Sequence, residues 1–325
     1  MPQPFSLTGG NMKYSGVGGQ AVMEGVMMKN KNRYAVAVRK PDHEIEVMTK
    51  EYKGIVPGEI WQKIPLVRGV LSFIDSLVLG MSTLMYSASF FEDEDESEKE
   101  KQKDSPEKMK AKENAMMGGT VALSVILAIA IFMILPYYLS VFCSRFIASD
   151  MIVAVLEGIL RLAIFIGYIV VISKMKEIQR VFMYHGAEHK CINCIEHGME
   201  LNVENVMKSS REHKRCGTSF LLFVMIVSII FFLFIRVSSP VLRVVIRLLL
   251  MPVIAGVSYE IIRLAGKSDN KIVALLSKPG LMLQHLTTRE PEPEMAEVAI
   301  AAVEAVFDWR SYLKENFPEQ YGEQS

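Results

Sequence analysis

The chain has little cysteine and no excess of either charge. Four cysteines in 325 residues are too few for a disulfide framework, and three of them, Cys191, Cys194 and Cys216, fall beside histidines, which fits a reduced metal or thiol site. Lysine and arginine number 36 and aspartate and glutamate 36, so the balance offers no footing for a nucleic acid or a strongly acidic partner. The N-terminal stretch MPQPFSLTGGNMKYSG lacks the apolar core of a cleavable signal peptide, so insertion into a membrane is expected to use an internal segment. The cluster Gly16, Gly18 and Gly19 is followed by no Gly-Lys-Ser/Thr and meets no dinucleotide spacing, which leaves a flexible turn entering a strand rather than a phosphate loop.

Apolar sequence is plentiful, and it comes in blocks. Half of the residues (50%) are hydrophobic, in runs too long for ordinary core helices, which places the chain in the membrane class. Met117 to Phe142 is 26 residues without a charge, more than the ~20 that a hydrocarbon layer of ~30 Å requires. Met151 to Ser173 makes a second span, with Glu157 and Arg161 four apart on one helix face; structural pairing is the first reading of that pair and part of a polar pathway the second. Ser219 to Ile235 and Val241 to Leu264 follow, with Arg243, Arg247, Glu260 and Arg263 near the ends, where long side chains snorkel. Pro65 to Phe91 is long enough to cross but carries Arg68 and Asp75 on one face, which favours an interfacial or partly re-entrant amphipathic helix.

The expected architecture is therefore an α-helical polytopic membrane protein of about four transmembrane helices with a small N-terminal antiparallel β-rich cytoplasmic domain. Residues 1–64 hold that domain, 65–91 the amphipathic or re-entrant helix, and 92–116 a charged linker. Transmembrane helices 1 and 2 fall in 117–173, a cytoplasmic His/Cys-rich segment in 174–217, helices 3 and 4 in 218–265, and a cytoplasmic amphipathic tail in 266–325. In the first of these, Gln20 to Met28, Arg33 to Arg39 and Glu44 to Thr49 read as strands separated by turns. Glu24 is a single carboxylate in an apolar strand and needs a partner if it faces the core. In the tail, Lys271 to Leu286 is expected to break at Pro279-Gly280 and lie on the membrane surface, and Glu294 to Phe307 to form an amphipathic helix. Lysines and arginines before Met117 and throughout 174–217, against Arg145 alone in the short loop after Phe142, put both termini in the cytoplasm of a multi-pass protein of the bacterial inner membrane.

Tyr184 to Phe220, YHGAEHKCINCIEHGMELNVENVMKSSREHKRCGTSF, is a polar island holding four of the six histidines and three of the four cysteines. With Phe182 to His197 on one helix at ~100° per residue, His185, His189 and Glu196 share a face, Glu188 flanks it, and Cys194 points away. A Cys191-x-x-Cys194 knuckle thus competes with the His185/His189 pair. His185-x-x-Glu188-His189 has the inverted zincin spacing, in which two histidines bind zinc and the carboxylate is a general base. His213-x-x-Cys216, with Arg215 beside it, adds two further soft ligands where the chain re-enters the membrane. Gly198 is expected to stop the helix and Asn202 to Ser209 to form a short second one. A closed set of four ligands would be structural, and three with an open position catalytic.

GGQAVMEGVMM (Gly18 to Met28), YHGAEHKC (Tyr184 to Cys191), HKRCGTSF (His213 to Phe220) and PGLMLQHLTTREP (Pro279 to Pro291), in this order over nearly the whole chain, resemble the YqhQ-like family. That is a domain-of-unknown-function family of bacterial and plastid membrane proteins described as metal-dependent enzymes. The residues matching its polar motifs are Glu24, His185, Glu188, His189, His213, Arg215 and Cys216, while position 191 resembles a family threonine, which makes Cys191 a poor ligand. The leading expectation is a cytoplasmic-face zinc site, with His185, His189 and one or two of Glu196, His213 and Cys216 as ligands and Glu188 or Glu24 as general base in a hydrolytic reaction. Its position at the bilayer points to a lipid-linked or membrane-peptide substrate. The rivals are a scaffold or assembly factor held by a structural metal or polar network, and transport along the Glu157/Arg161 face, which needs a polar cavity at the midplane and, with four spans, an oligomer.

Overall fold

A computed structural model describes residues 12–56, 59–91, 106–235, 237, 239–267 and 271–321. Four strands, β1 (Val17–Val22), β2 (Gly25–Asn30), β3 (Arg33–Arg39) and β4 (Ile45–Glu51), form an antiparallel meander in the order β1-β2-β3-β4. The apolar run Gln20 to Met28 is thus not one strand. It folds back at Met23-Glu24, where Glu24 takes the left-handed conformation at φ 48°, and Gly25 lies so close to β3 that a Cβ there would sit 2.3 Å from the Ala37 carbonyl oxygen. Glu24 therefore occupies a turn and not the middle of a core strand.

Both faces of β2 and β3 are buried, as their unbroken apolar sequence requires. On one side Val22, Met27, Tyr34, Val36 and Val38 pack against Leu79 of helix α2 (Val67–Ala88), which follows the short α1 (Glu59–Lys63). On the other, Val17, Val26, Met28 and Ala37 meet two helices introduced below, Lys176–Glu196 and Pro293–Val306. The sheet is thus the middle of three layers, with β4 as its exposed edge.

The other elements among the described residues are helices. Residues 92–105 of the expected linker lie outside the described residues, and its last part is already the start of α3 (Pro106–Ile129). A π-helical turn, Ala130–Ile134, leads into α4 (Leu135–Cys143). Pro136 has no N–H to give to the Phe132 carbonyl four residues back, and that oxygen instead accepts from Arg161 Nε at 3.1 Å. After α5 (Asp150–Ile172) come α6 (Lys176–Glu196), α7 (Val203–Lys208), α8 (Gly217–Phe234), α9 (Pro240–Lys267) and α10 (Lys271–Thr287). The chain closes with α11 (Pro293–Val306), α12 (Trp309–Asn316) and α13 (Pro318–Tyr321). Contrary to expectation, α10 runs unbroken through Pro279-Gly280. Its glycine faces α8, where a Cβ would come within 2.8 Å of Ser219 Oγ, so packing against α8 holds the helix straight where local propensity would end it.

Among the described residues, five helical segments are long and apolar enough to cross a membrane: Val67–Ala88, Gly118–Cys143, Asp150–Ile172, Gly217–Phe234 and Val241–Ala265. The sequence alone suggests four, with the first an amphipathic or re-entrant helix.

Candidate metal centre

Helix α6 continues α5 after a break at Lys174-Met175 and carries the polar island out of the apolar bundle. Its second half, from Gly186 to Glu196, is buried on every side. The sheet and α11 cover one flank, where Cys191 and Cys194 are fully enclosed in the apolar core. Burial pushes the Cys191 thiol well up and Cys194 to about 12, the latter pointing at the Glu200 carbonyl at 3.3 Å; both are inert packing groups rather than a knuckle. Gly198, at φ 76°, ends the helix. The chain then returns through α7, whose N-terminus the Asn202 side chain caps, and lies back along α6.

Two side chains of α6 fasten that returning backbone. Lys190 Nζ donates to the carbonyls of Met207 (2.8 Å) and Ser209 (2.9 Å), and Asn193 Nδ2 to those of Ser210 (2.7 Å) and Glu212 (2.8 Å). Gln284 of α10 grips the next stretch, accepting from His213 N at 2.9 Å and donating to the His213 carbonyl at 2.8 Å and Ser219 Oγ at 2.9 Å. Cys216 is thereby set as the N-cap of α8, its sulfur accepting from Thr218 N at 3.4 Å.

The result is one compact group. His185 and His189, one turn apart on α6, have ring centroids 4.4 Å from each other, and Cys216 Sγ lies 3.3 Å from His185 Nε2. One ligand atom from each of the three residues lies within 4.8 Å of the other two. Each histidine is anchored through Nδ1 to a main-chain carbonyl, His185 to Thr287 (2.9 Å) and His189 to Arg211 (2.5 Å). Since a carbonyl only accepts, Nδ1 carries a proton in both rings and Nε2 is the atom turned toward the group, the orientation a metal ligand needs. Burial alone would raise the Cys216 thiol, yet the imidazoles of His185 and His189 outweigh it and hold it well below the usual thiol range. Burial would likewise lower His185, but Cys216, Glu188 and the Thr287 carbonyl raise it to about 9. Two imidazole Nε2 atoms and a thiolate make a donor set that fits Zn²⁺, the metal displacing the proton that His185 Nε2 holds in its absence.

The other candidates lie around this group in different roles. Glu188 Oε2 is 3.7 Å from His185 Nε2, with its side chain buried against Gly19 of β1. His213 is not within the group: its ring centroid is 5.4 Å from that of His189, and its buried Nε2 has no hydrogen-bond partner. Glu196 is turned away from the group and spent elsewhere, its Oε1 accepting from Ser15 N (3.0 Å), Ser15 Oγ (2.8 Å) and Arg215 Nη2 (2.5 Å). Arg215 also stacks over Tyr14 at 4.3 Å, so it ties the N-terminal segment to α6. Glu24 is held by Arg180 through both oxygens, at 2.5 Å each, with the Tyr184 hydroxyl at 3.4 Å; its carboxylate is an ion-pair partner on α6, not a base beside the histidines. Thr287 and Gln284 escaped the sequence reading, although both stand in the PGLMLQHLTTREP motif, because one serves through a carbonyl and the other through an uncharged amide.

The family described as "Protein of unknown function (DUF1385)" matches residues 64–309. The chain is 35% identical over 311 residues to the "Uncharacterized protein YqhQ" of Bacillus subtilis (strain 168), covering 92% of this chain and 94% of that protein. No solved structure matches. The chain belongs to this YqhQ-like family.

Proposed function

We propose that this YqhQ-like protein is a multi-pass protein of the bacterial inner membrane in which His185, His189 and Cys216 hold a zinc ion for a hydrolytic reaction at the membrane surface. The observation that carries the reading is the pair of Nδ1 anchors, which turn two Nε2 atoms toward the Cys216 sulfur. Zinc supplies Lewis-acid polarisation when bound. Three protein ligands leave a coordination position open, the arrangement of catalytic sites. Glu188, next to the ligands and enclosed, is placed to accept a proton, the task the inverted zincin spacing gives it. Cys216 caps an apolar helix, so the centre lies where the chain enters the bilayer, and a lipid-linked or membrane-peptide substrate suits that position.

Burial supports a second reading. His189 is 1% and Cys216 5% exposed, and the centre fastens α6 to the start of α8 and the end of α10, as a structural staple in a scaffold would.

Zinc content of the detergent-purified protein tests the site, and its variants separate the readings. About one zinc per chain is expected, lost in His185→Ala, His189→Ala and Cys216→Ala and kept in His213→Ala and Glu188→Gln. No zinc in the wild-type protein, purified without chelators, would sink the metal. Loss in His213→Ala as strong as in His185→Ala would mean four ligands and favour the staple.

The same reading has four crossings. Helix α2 is the least suited of the five apolar helices, since both of its charges are engaged at the sheet-bearing end. Asp75 accepts from the Tyr52 hydroxyl (3.0 Å) and Ile55 N (2.7 Å) just after β4, and Arg68 pairs with Glu260 near the C-terminal end of α9. Lys and Arg in 174–217 support a cytoplasmic site.

A further inference from the structure

Three charged side chains are buried among the apolar helices, far along the chain from the metal ligands. Glu157 and Arg161 of α5 and Arg247 of α9 are 6%, 3% and 3% exposed. Glu157 Oε1 accepts from Arg161 Nη2 at 2.8 Å and from Arg247 Nη1 at 2.6 Å. Phe232 of α8 lies under both guanidinium groups, at 4.9 Å from Arg161 and 4.7 Å from Arg247.

The charges of this cluster do not cancel. A guanidinium does not give up its proton in a protein, so two cations face one carboxylate. The Phe132 carbonyl takes Arg161 Nε, but Arg247 Nε is buried without an acceptor. Other acids of the described apolar helices are committed or remote: Glu260 to Arg68 and Arg263, Asp75 to Tyr52, and Asp150 at the first turn of α5. A lone positive charge in an apolar setting costs several kilocalories unless something answers it. A notch of about 10 Å³, room for one water-sized group, lies here, with Glu157, Arg161 and Arg247 in its wall.

Glu157 and Arg247 each stand seven residues into their helices, counted from Asp150 and Pro240, or ~10 Å from helix ends remote from the metal centre. Arginine stems reach an interface from that depth. We infer that the notch seats one oxygen of a single phosphate-type oxyanion, taken either from a lipid headgroup of the leaflet remote from the candidate metal centre or from solution. Arg161 is spent on Glu157 and on the Phe132 carbonyl, so the free donor is Arg247 Nε, which suits one phosphate oxygen, and Glu157 limits the site to one negative charge. This site is independent of whether zinc is bound at His185.

The test is thermal unfolding of the full-length protein in a neutral detergent. Inorganic phosphate is titrated against chloride at constant ionic strength, and phosphatidylglycerol against phosphatidylcholine in mixed micelles. A saturable rise of several degrees with phosphatidylglycerol and none with phosphatidylcholine is expected, and Arg247→Leu, which leaves the neutral Glu157–Arg161 pair, abolishes it. A rise with phosphate as well identifies the free anion as sufficient, and a rise with the lipid alone identifies the headgroup; both uphold the site. Absence of any saturable rise overturns it, as does an equal rise in Arg247→Leu. Should that variant not fold, Glu157→Gln decides: freeing both arginines lowers the concentration at half-effect severalfold, and an unchanged midpoint overturns the proposal.

Discussion

Glu196 shows how a single residue trades one role for another. On the helical wheel it shares the face of the two histidines, and by type it is a fair ligand. The residues that occupy its oxygen, Ser15 and Arg215, come from 181 positions before it and 19 after it. No periodicity within α6 encodes such partners, whereas the four-residue spacing of His185 and His189 alone stacks them. The backbone carbonyls of Thr287 and Arg211 that orient the two rings were equally hidden, since any residue supplies a carbonyl. Burial would raise the Glu196 carboxyl, but the His213 ring 3.9 Å away and the Arg215 guanidinium bring it down to about 2 from 4.5. Burial and the Arg215 charge push His213 itself down, so at neutral pH the guanidinium is the cation that answers Glu196. A carboxyl lowered in the folded state stabilises the fold above its ordinary value, and that contribution drains away as pH falls from 4.5 towards 2. The difference corresponds to about 3 kcal/mol. Thermal unfolding followed from neutral to acid pH should show Glu196→Gln less stable than wild type at pH 7 and the gap narrowing through that window. A gap constant with pH would mean that the carboxylate is not held ionised by these partners.

At the scale of elements, close backbone approach sets the candidate metal centre. Gly186 lies beneath the segment after α10, and a Cβ there would stand 2.0 Å from the Arg289 carbonyl oxygen, while Arg289 N donates to the Phe182 carbonyl at 2.9 Å. The same segment carries the Thr287 carbonyl to His185. Gly186→Ala should therefore lift the segment, destabilise the protein by roughly 1–3 kcal/mol, and weaken zinc retention, whereas Gly167→Ala, with nothing within 4 Å, should be near neutral. Melting temperature and zinc content of the two variants check this, and equal effects would contradict it. The glycine between the two halves of the motif was visible in the sequence, but its purpose was not, because it answers to a strand of chain a hundred residues on. The same limit explains the hairpin at Met23-Glu24, whose apolar flanks concealed a turn, and α10, where Gly280 against Ser219 overrides the breaking tendency of Pro279. The meander itself and the apolar helices of the bundle followed from local composition, since strand alternation and span length are properties of contiguous residues.

For the whole molecule, the contacts of the sheet constrain how many helices cross. The sheet packs on α6 and α11 in one core, so residues 17–51, 176–196 and 293–306 must share one side of any membrane the chain spans. Between α6 and α11 lie α8 and α9, two crossings, which is consistent. Between the sheet and α6 lie α2, the span Gly118–Cys143 and α5. If all three crossed, the sheet and α6 would be on opposite faces, and the core they share could not form. The four crossings proposed above leave one of them out, and α2 is the one whose Leu79 is already in the core of the sheet and whose Asp75 is bonded beside β4. Single cysteines placed in a Cys143→Ala background test this with a membrane-impermeant maleimide. The three other native cysteines are buried. Phe146→Cys, in the exposed turn between α4 and α5, should react in intact cells, while Val47→Cys on β4 and Lys314→Cys on α12 should react only after the membrane is opened. The reverse pattern would invert the protein and keep the four crossings. Labelling of Val47→Cys and Lys314→Cys from opposite sides would require α2 to cross, and would separate the sheet from the helix that carries the metal ligands.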